Sequence, residues 1–192
     1  DYVNDFALAC QLVRETGAPI LEVNLSCPNF GKEGLICDDT AMSSKILEML
    51  ELKKGNVPLL VKIGYFPKER DGDLKKLLKI INRFANGVVA INTIAARVVD
   101  IKGKQLLTGS CVRLISGVCG AKIKWAGLEM AERIVTFKKE KGWRDLAVVG
   151  VGGVTSVEDF REYMSLGVDA ALSATGAMWK PNLAKEIRDE II

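Results

Sequence analysis

Short apolar runs recur along this chain with an amphipathic segment between each and the next, and that alternation limits the available folds more than any other feature. The runs are Ile20 to Leu25, Leu59 to Ile63, Val88 to Asn92, Leu146 to Val149 and Ala170 to Ser173. Nearly continuous apolar stretches of this length, several of them β-branched, suit strands covered on both faces, as in a parallel sheet. Between them, Leu74, Leu77, Leu78, Ile81 and Phe84 fall at helical spacing, as do Met42, Ile46 and Met49, and later Leu128, Ala131, Ile134 and Val135. Each such segment has one face to bury. A repeated βα order predicts a parallel α/β fold, either an open doubly wound sheet or a barrel.

Local signals place the element ends. The chain opens with a helix over about Asn4 to Thr16 that has no strand before it. Ser156 suits the N-cap of a helix over Val157 to Leu166, Gly167 its stop, and Pro181 the first turn of the last helix. Between Asn92 and Trp125 the βα rhythm breaks: Val98-Val99-Asp100-Ile101, Lys102-Gly103-Lys104 and Gln105-Leu106-Leu107 predict a β-hairpin excursion at about 97–108. Residues 1–192 show no repeat and no low-complexity linker, so a single domain is expected. A closed barrel usually takes about 250 residues, and the chain is therefore expected to supply the C-terminal part of one, with the N-terminal strands missing.

Composition excludes several classes. With 192 residues, 48% hydrophobic and 27% charged, the chain can bury a real core. No apolar run approaches the roughly 18 to 20 residues that cross a bilayer, and Asp1 to Glu15 lacks the order of a signal peptide. A cytosolic, cytoplasmic protein with no membrane partner is expected. The net charge of +3 comes from 27 basic and 24 acidic residues scattered along the chain, and Lys138-Lys139 lie beside Glu140 in a helical pattern. Such a pattern is a solvated helix face, and no nucleic-acid partner is expected. Five cysteines without a C-x-x-C, and no histidine, argue against a metal site and a disulfide framework.

The chemistry gathers at strand ends. Glu22-Val23-Asn24-Leu25-Ser26-Cys27-Pro28-Asn29 runs from an apolar strand straight into polar and reactive groups, and barrels place their catalytic groups at the C-terminal ends of strands. Lys62 lies inside Leu60-Val61-Lys62-Ile63-Gly64, where an unpaired buried ammonium costs several kcal/mol, so it needs an anionic partner. A phosphate, a carboxylate or a reduced flavin ring would serve. Asn92-Thr93 offers donors and acceptors for a polar planar ligand. Gly150-Val151-Gly152-Gly153-Val154 and Ala174-Thr175-Gly176-Ala177 each follow a strand, and glycines there let backbone N–H groups approach a phosphate. A G-x-G-x-x-G dinucleotide signature fails, because Thr155 stands where its third glycine belongs.

Taken in order and spacing, Asn24-Leu25-Ser26-Cys27-Pro28-Asn29, Lys62, Asn92-Thr93, Ser116-Gly117-Val118-Cys119-Gly120 and the two late glycine turns resemble the dihydroorotate dehydrogenases, in their soluble, cysteine-base class. The resemblance implies an α/β fold, a (β/α)8 TIM barrel present as roughly its C-terminal five strands. It also implies FMN as cofactor and oxidation of dihydroorotate to orotate in pyrimidine biosynthesis, with hydride passing to flavin N5. In that reading Cys27 is the general base, and Lys62 holds the flavin ring. Asn24, Asn29, Asn92 and Thr93 surround the substrate, with Asn92 also near the cofactor. Gly152, Gly153, Ala174 and Thr175 bind the FMN phosphate, with Gly120 close by. A thiol, with a free pKa of about 8.5, can be tuned toward neutrality to take a proton from carbon. A homodimer and an electron-transfer subunit are further implications.

The chain departs from the family pattern at Thr93, where homodimeric soluble members tend to carry serine and the NAD-linked class is more similar, and at Cys119, where serine is usual. The family's first strands have no counterpart here. Two other readings compete: a related FMN dihydropyrimidine dehydrogenase-like enzyme, which typically has histidine at the position of Asn29, and a non-catalytic flavin-binding barrel fragment.

Overall fold

All five apolar runs become strands of one parallel sheet in a computed structural model that describes residues 1–27, 34–106 and 115–191. In chain order the elements are α1 (Tyr2–Glu15), β1 (Leu21–Asn24), α2 (Thr40–Lys53), β2 (Leu59–Ile63), α3 (Asp71–Phe84), β3 (Gly87–Ala90), β4 (Ile94–Arg97) and β5 (Ile115–Val118). They continue as α4 (Lys124–Lys141), β6 (Ala147–Val151), α5 (Val157–Ser165), β7 (Ala170–Leu172), α6 (Thr175–Trp179) and α7 (Leu183–Ile191).

The sheet order is β1-β2-β3-β6-β7, every pair parallel. Each new strand adds to the same side without reversal. A doubly wound sheet reverses its strand order at a switch point, whereas a (β/α)8 barrel does not, so this is a barrel segment of five strands.

Register explains which side chains face where. Asn24 lies opposite Lys62, Lys62 opposite Val89, Val89 opposite Val149, and Val149 opposite Ala170. Because side chains alternate along a strand, these residues share the inner face with Glu22, Leu60, Val151 and Leu172. Val23, Val61, Val88 and Val148 face the helices and are buried. The inner face is open in part, with Ile20 53% and Leu172 42% exposed while Val89 and Val149 at its centre are buried.

The helices follow their expected stripes with small differences. Leu74, Leu77, Leu78 and Ile81 of α3 are all fully buried, and so is Ile134 of α4. In α2 the buried stripe is Ser43, Ile46, Leu47 and Leu50, and Met42 packs at its edge. Asp39 caps α2, its carboxylate accepting from the Met42 N–H at 2.9 Å, and Ser156 caps α5 through the Asp159 N–H at 3.2 Å. Gly167 ends α5 at φ +87, with its N–H on the Met164 carbonyl. Pro181 does not open the last helix. The C-terminal segment divides into α6 and α7, and α7 begins two residues later at Leu183, since the prolyl ring suits the link between two helices equally well. Among the described residues no helix is long and apolar enough to cross a membrane.

After β3 the chain makes a local turn closed by an isolated bridge. Val99 bridges Gln105, the Asp100 N–H donates to the Lys104 carbonyl, and the Asp100 carboxylate accepts from the N–H groups of Lys102 and Lys104, each at 2.8 Å. Leu107 and Thr108, at its predicted far end, lie outside the described residues. Flanking it is an antiparallel β4–β5 pair, unexpected because Ala95-Ala96 and Ser116-Gly117 have little strand preference of their own.

Beside the C-terminal rim of the sheet, α4 and α5 are clamped by charge. Lys124 Nζ meets Asp159 Oδ1 at 2.6 Å and Glu162 Oε2 at 2.5 Å, while Asp159 Oδ2 accepts from the Thr155 N–H and hydroxyl, both at 2.8 Å. Burial works to raise the Asp159 pKa, but Lys124 and the two Thr155 donors outweigh it and hold the carboxyl down at about 2, from an ordinary 3.8. A carboxyl depressed in the folded state contributes stability that is complete above its unfolded pKa and is lost as pH falls through its folded one. Asp159→Asn should therefore destabilise the protein at pH 7 by about 1 to 2 kcal/mol, and the gap between variant and parent should close between about pH 4 and pH 2. Urea melts across that range check it.

Candidate functional site

Where the strands end, their side chains and the following loops enclose an open cleft of about 130 Å³. Lys62, Asn92, Thr93, Cys119, Gly120, Gly152, Gly153, Ala174, Thr175 and Gly176 are in its wall, with apolar Ile91, Ile123, Val151, Val154 and Leu172 between them. Eight of the residues singled out from sequence thus meet in one place. They meet because parallel strands send all their C-terminal ends to the same rim.

β3 carries its pairing past its last regular residue. The Ile91 N–H donates to the Val151 carbonyl and the Asn92 N–H to the Ile63 carbonyl, both at 2.9 Å. Ile91 and Asn92 are therefore tied to the strands on either side, and Thr93 fills the space left by Gly117 of β5, whose added Cβ would fall 2.5 Å from the threonine hydroxyl.

Three loops form the far wall. Gly152 and Gly153 have φ of +130 and +73, a region that only glycine enters without strain. A Cβ on Gly153 would lie 2.6 Å from Lys124 Cβ and 3.1 Å from the Gly120 carbonyl. The two glycine turns are joined by Ser173, whose hydroxyl donates to the Val154 carbonyl at 2.6 Å and accepts from the Ala177 N–H at 3.2 Å. Gly176 packs so tightly under Val154 that a Cβ would fall 2.2 Å from its carbonyl oxygen. Thr175 in turn reaches Cys119, its hydroxyl 3.3 Å from the sulfur.

The strand lysine has a carboxylate partner. Lys62 Nζ sits 2.6 Å from Glu22 Oε1, across the β1–β2 pair on the inner face. About a quarter to a third of each side chain stays exposed, 25% and 30%, so solvent screens the pair and its net worth is small. Sequence reading missed Glu22 as the partner. The signal was present, since Glu22 is two residues before Asn24 and so on the same face, but using it needs the strand register.

Not every predicted residue lines the cleft. Asn24 turns its side-chain carbonyl to the Ser26 N–H at 3.0 Å and hydroxyl at 2.6 Å, closing a local turn at the end of β1. It borders instead a separate recess between α1 and β1. Cys27 follows that turn, exposed, its carbonyl accepting from the Ile36 N–H, and it is not among the described residues of the cleft wall. Asn29 lies outside the described residues. Among the described cysteines only Cys27 and Cys119 are exposed; Cys10 and Cys37 are buried, and burial pushes the Cys37 thiol up to about 11, away from reactivity. No group of His, Cys, Asp and Glu that could hold a metal occurs among the described residues.

The cleft wall brings together glycine turns that allow close backbone approach and an amide, a hydroxyl and an ammonium that can make polar contacts. Such a donor set fits a flavin mononucleotide, with its phosphate and its ring.

Known proteins of the same pattern bear on this site. The family model described as Dihydroorotate dehydrogenase matches residues 1–192. A dihydroorotate dehydrogenase of Dictyostelium discoideum is 35% identical over 192 residues, covering 96% of this chain and 50% of its own. The catalytic subunit of dihydroorotate dehydrogenase B (NAD(+)) of Maridesulfovibrio salexigens is 30% identical over 187 residues, covering 96% and 57%, and that of Methanocaldococcus jannaschii is 27% identical over 175 residues, covering 90% and 53%. The chain spans about half the length of these curated relatives. With a family match over its entire length and the strand-end pattern described above, the chain belongs to the dihydroorotate dehydrogenase family.

Proposed function

We propose that the cleft is the FMN site of an enzyme that oxidises dihydroorotate to orotate in pyrimidine biosynthesis. The observation that carries the proposal is the convergence of Lys62, Asn92, Thr93, Gly120 and both late glycine turns on one cleft at the C-terminal rim.

In this reading the turns at Gly152-Gly153 and Ala174-Thr175 hold the phosphate, with Gly120 beside them, and Lys62 lies against the flavin ring. Glu22 keeps the ammonium on the inner face by its 2.6 Å contact, where it would stabilise negative charge on a bound ring. FMN, when bound, supplies the two-electron acceptor. Asn29, Asn92 and Thr93 orient dihydroorotate by hydrogen bonds to its polar edges, whereas the Asn24 carbonyl is engaged by the turn at Ser26. Cys27, as thiolate, takes the proton from the substrate carbon. Its exposure, and its place one strand over from Lys62 at the same rim, support that role. Electron passage to a partner subunit is supported by the relatives named as NAD(+)-type catalytic subunits, and a homodimer by the family resemblance.

Two outcomes test this. The purified full-length protein should be yellow, and its flavin absorbance should bleach when dihydroorotate is added without oxygen; a colourless protein that takes up no FMN contradicts the proposal. Cys27→Ser should retain the flavin yet lower the rate of its reduction by dihydroorotate at neutral pH by about a hundredfold or more, the usual contribution of a general base. Stopped-flow absorbance reads that rate, and an unchanged value removes Cys27 from the chemistry.

A further inference from the structure

Tyr163 is fully buried on α5, and its hydroxyl donates to the Gly152 carbonyl at 2.8 Å. Its ring occupies space that two glycines leave open: a Cβ on Gly150 would fall 2.3 Å from ring atom Cδ1, and one on Gly127 would fall 1.9 Å from the phenol oxygen. A large side chain with a polar tip is thus seated beneath the turn after β6, and that tip ends on one peptide group.

That peptide is trans, and a planar trans peptide points its C=O and N–H in opposite directions. If the Gly152 carbonyl is drawn down to the buried phenol, the Gly153 N–H must point up and away from it, on the side where Gly152 and Gly153 border the cleft. Among the described residues that N–H has no acceptor. From this we infer that Tyr163 is a positioning residue: its hydrogen bond fixes the orientation of the Gly152–Gly153 peptide, and so aims the Gly153 N–H at a phosphate in the cleft. The inference rests on the proposed flavin site and deepens it, since it names the group that pre-orients the anion-binding turn. Burial and the nearby charges of Glu162 and Asp159 push the phenol pKa up, so it remains a donor throughout the working pH range.

The test compares FMN with riboflavin, which has the same ring and no phosphate, by fluorescence titration of the full-length protein and its Tyr163→Phe variant. Phenylalanine keeps the ring that fills the space between Gly127 and Gly150 and removes only the donor. The parent should prefer FMN; the variant should bind FMN about five- to tenfold more weakly, the effect of one lost buried hydrogen bond, with riboflavin affinity unchanged. Tyr163→4-aminophenylalanine, which returns an N–H donor to the same place, should restore FMN affinity. A variant that keeps the full FMN preference, or that loses both ligands equally, overturns the inference and leaves the flavin site standing. A parent that binds both ligands equally overturns the phosphate assignment, and this inference with it.

Discussion

Parallel pairing in unbroken chain order sends the ends of β1, β2, β3, β6 and β7 to one rim, and the rest of the molecule follows from that constraint. Residues that are 30 or more positions apart in sequence become neighbours because each sits at the same height on adjoining strands, as Asn24 and Lys62 do. The helices cover only the outer face, where Val61, Val88 and Val148 are fully buried. Polar and charged side chains are therefore tolerated on the inner face near the rim, and there Glu22 and Lys62 sit.

Two kinds of rigidity support the cleft. Steric rigidity comes from glycines at Gly150, Gly153 and Gly176, each pressed so closely by a neighbour that no side chain fits. Electrostatic rigidity comes from Lys124, bound to Asp159 and Glu162, and from Asp159, bound to Thr155 directly after the glycine turn. In the proposed site, such rigidity would hold the backbone N–H groups of the turn in one orientation and lower the ordering cost of binding.

Most of the architecture was legible from the sequence because it rests on strong local signals. The apolar runs are long enough to name all five sheet strands, and Ser156, Gly167 and the Lys102-Gly103-Lys104 turn each act through their own backbone chemistry. The barrel could not be told from a doubly wound sheet by periodicity, since both alternate strand and helix; only strand order separates them. The β4–β5 pair was missed because its alanines and glycine gain their pairing from position rather than preference. At the site, Lys62, Asn92, Thr93 and the glycine turns were legible as strand-end chemistry. The Glu22 contact depends on register, and Tyr163 looks in sequence like any aromatic on an amphipathic helix. Asn24 illustrates the opposite limit: its side chain is used by the local turn at Ser26, a competition that short polar side chains next to a strand end often win.

The central claim is that the glycine turns at Gly152-Gly153 and Ala174-Thr175 hold the phosphate of a flavin whose ring lies toward Lys62. A crystal structure of the full-length protein with FMN tests it most directly. The account predicts the phosphate oxygens within hydrogen-bonding distance of the Gly153 N–H and the ring edge beside the Lys62 ammonium. A phosphate seated elsewhere, or a flavin bound away from Lys62, would contradict it.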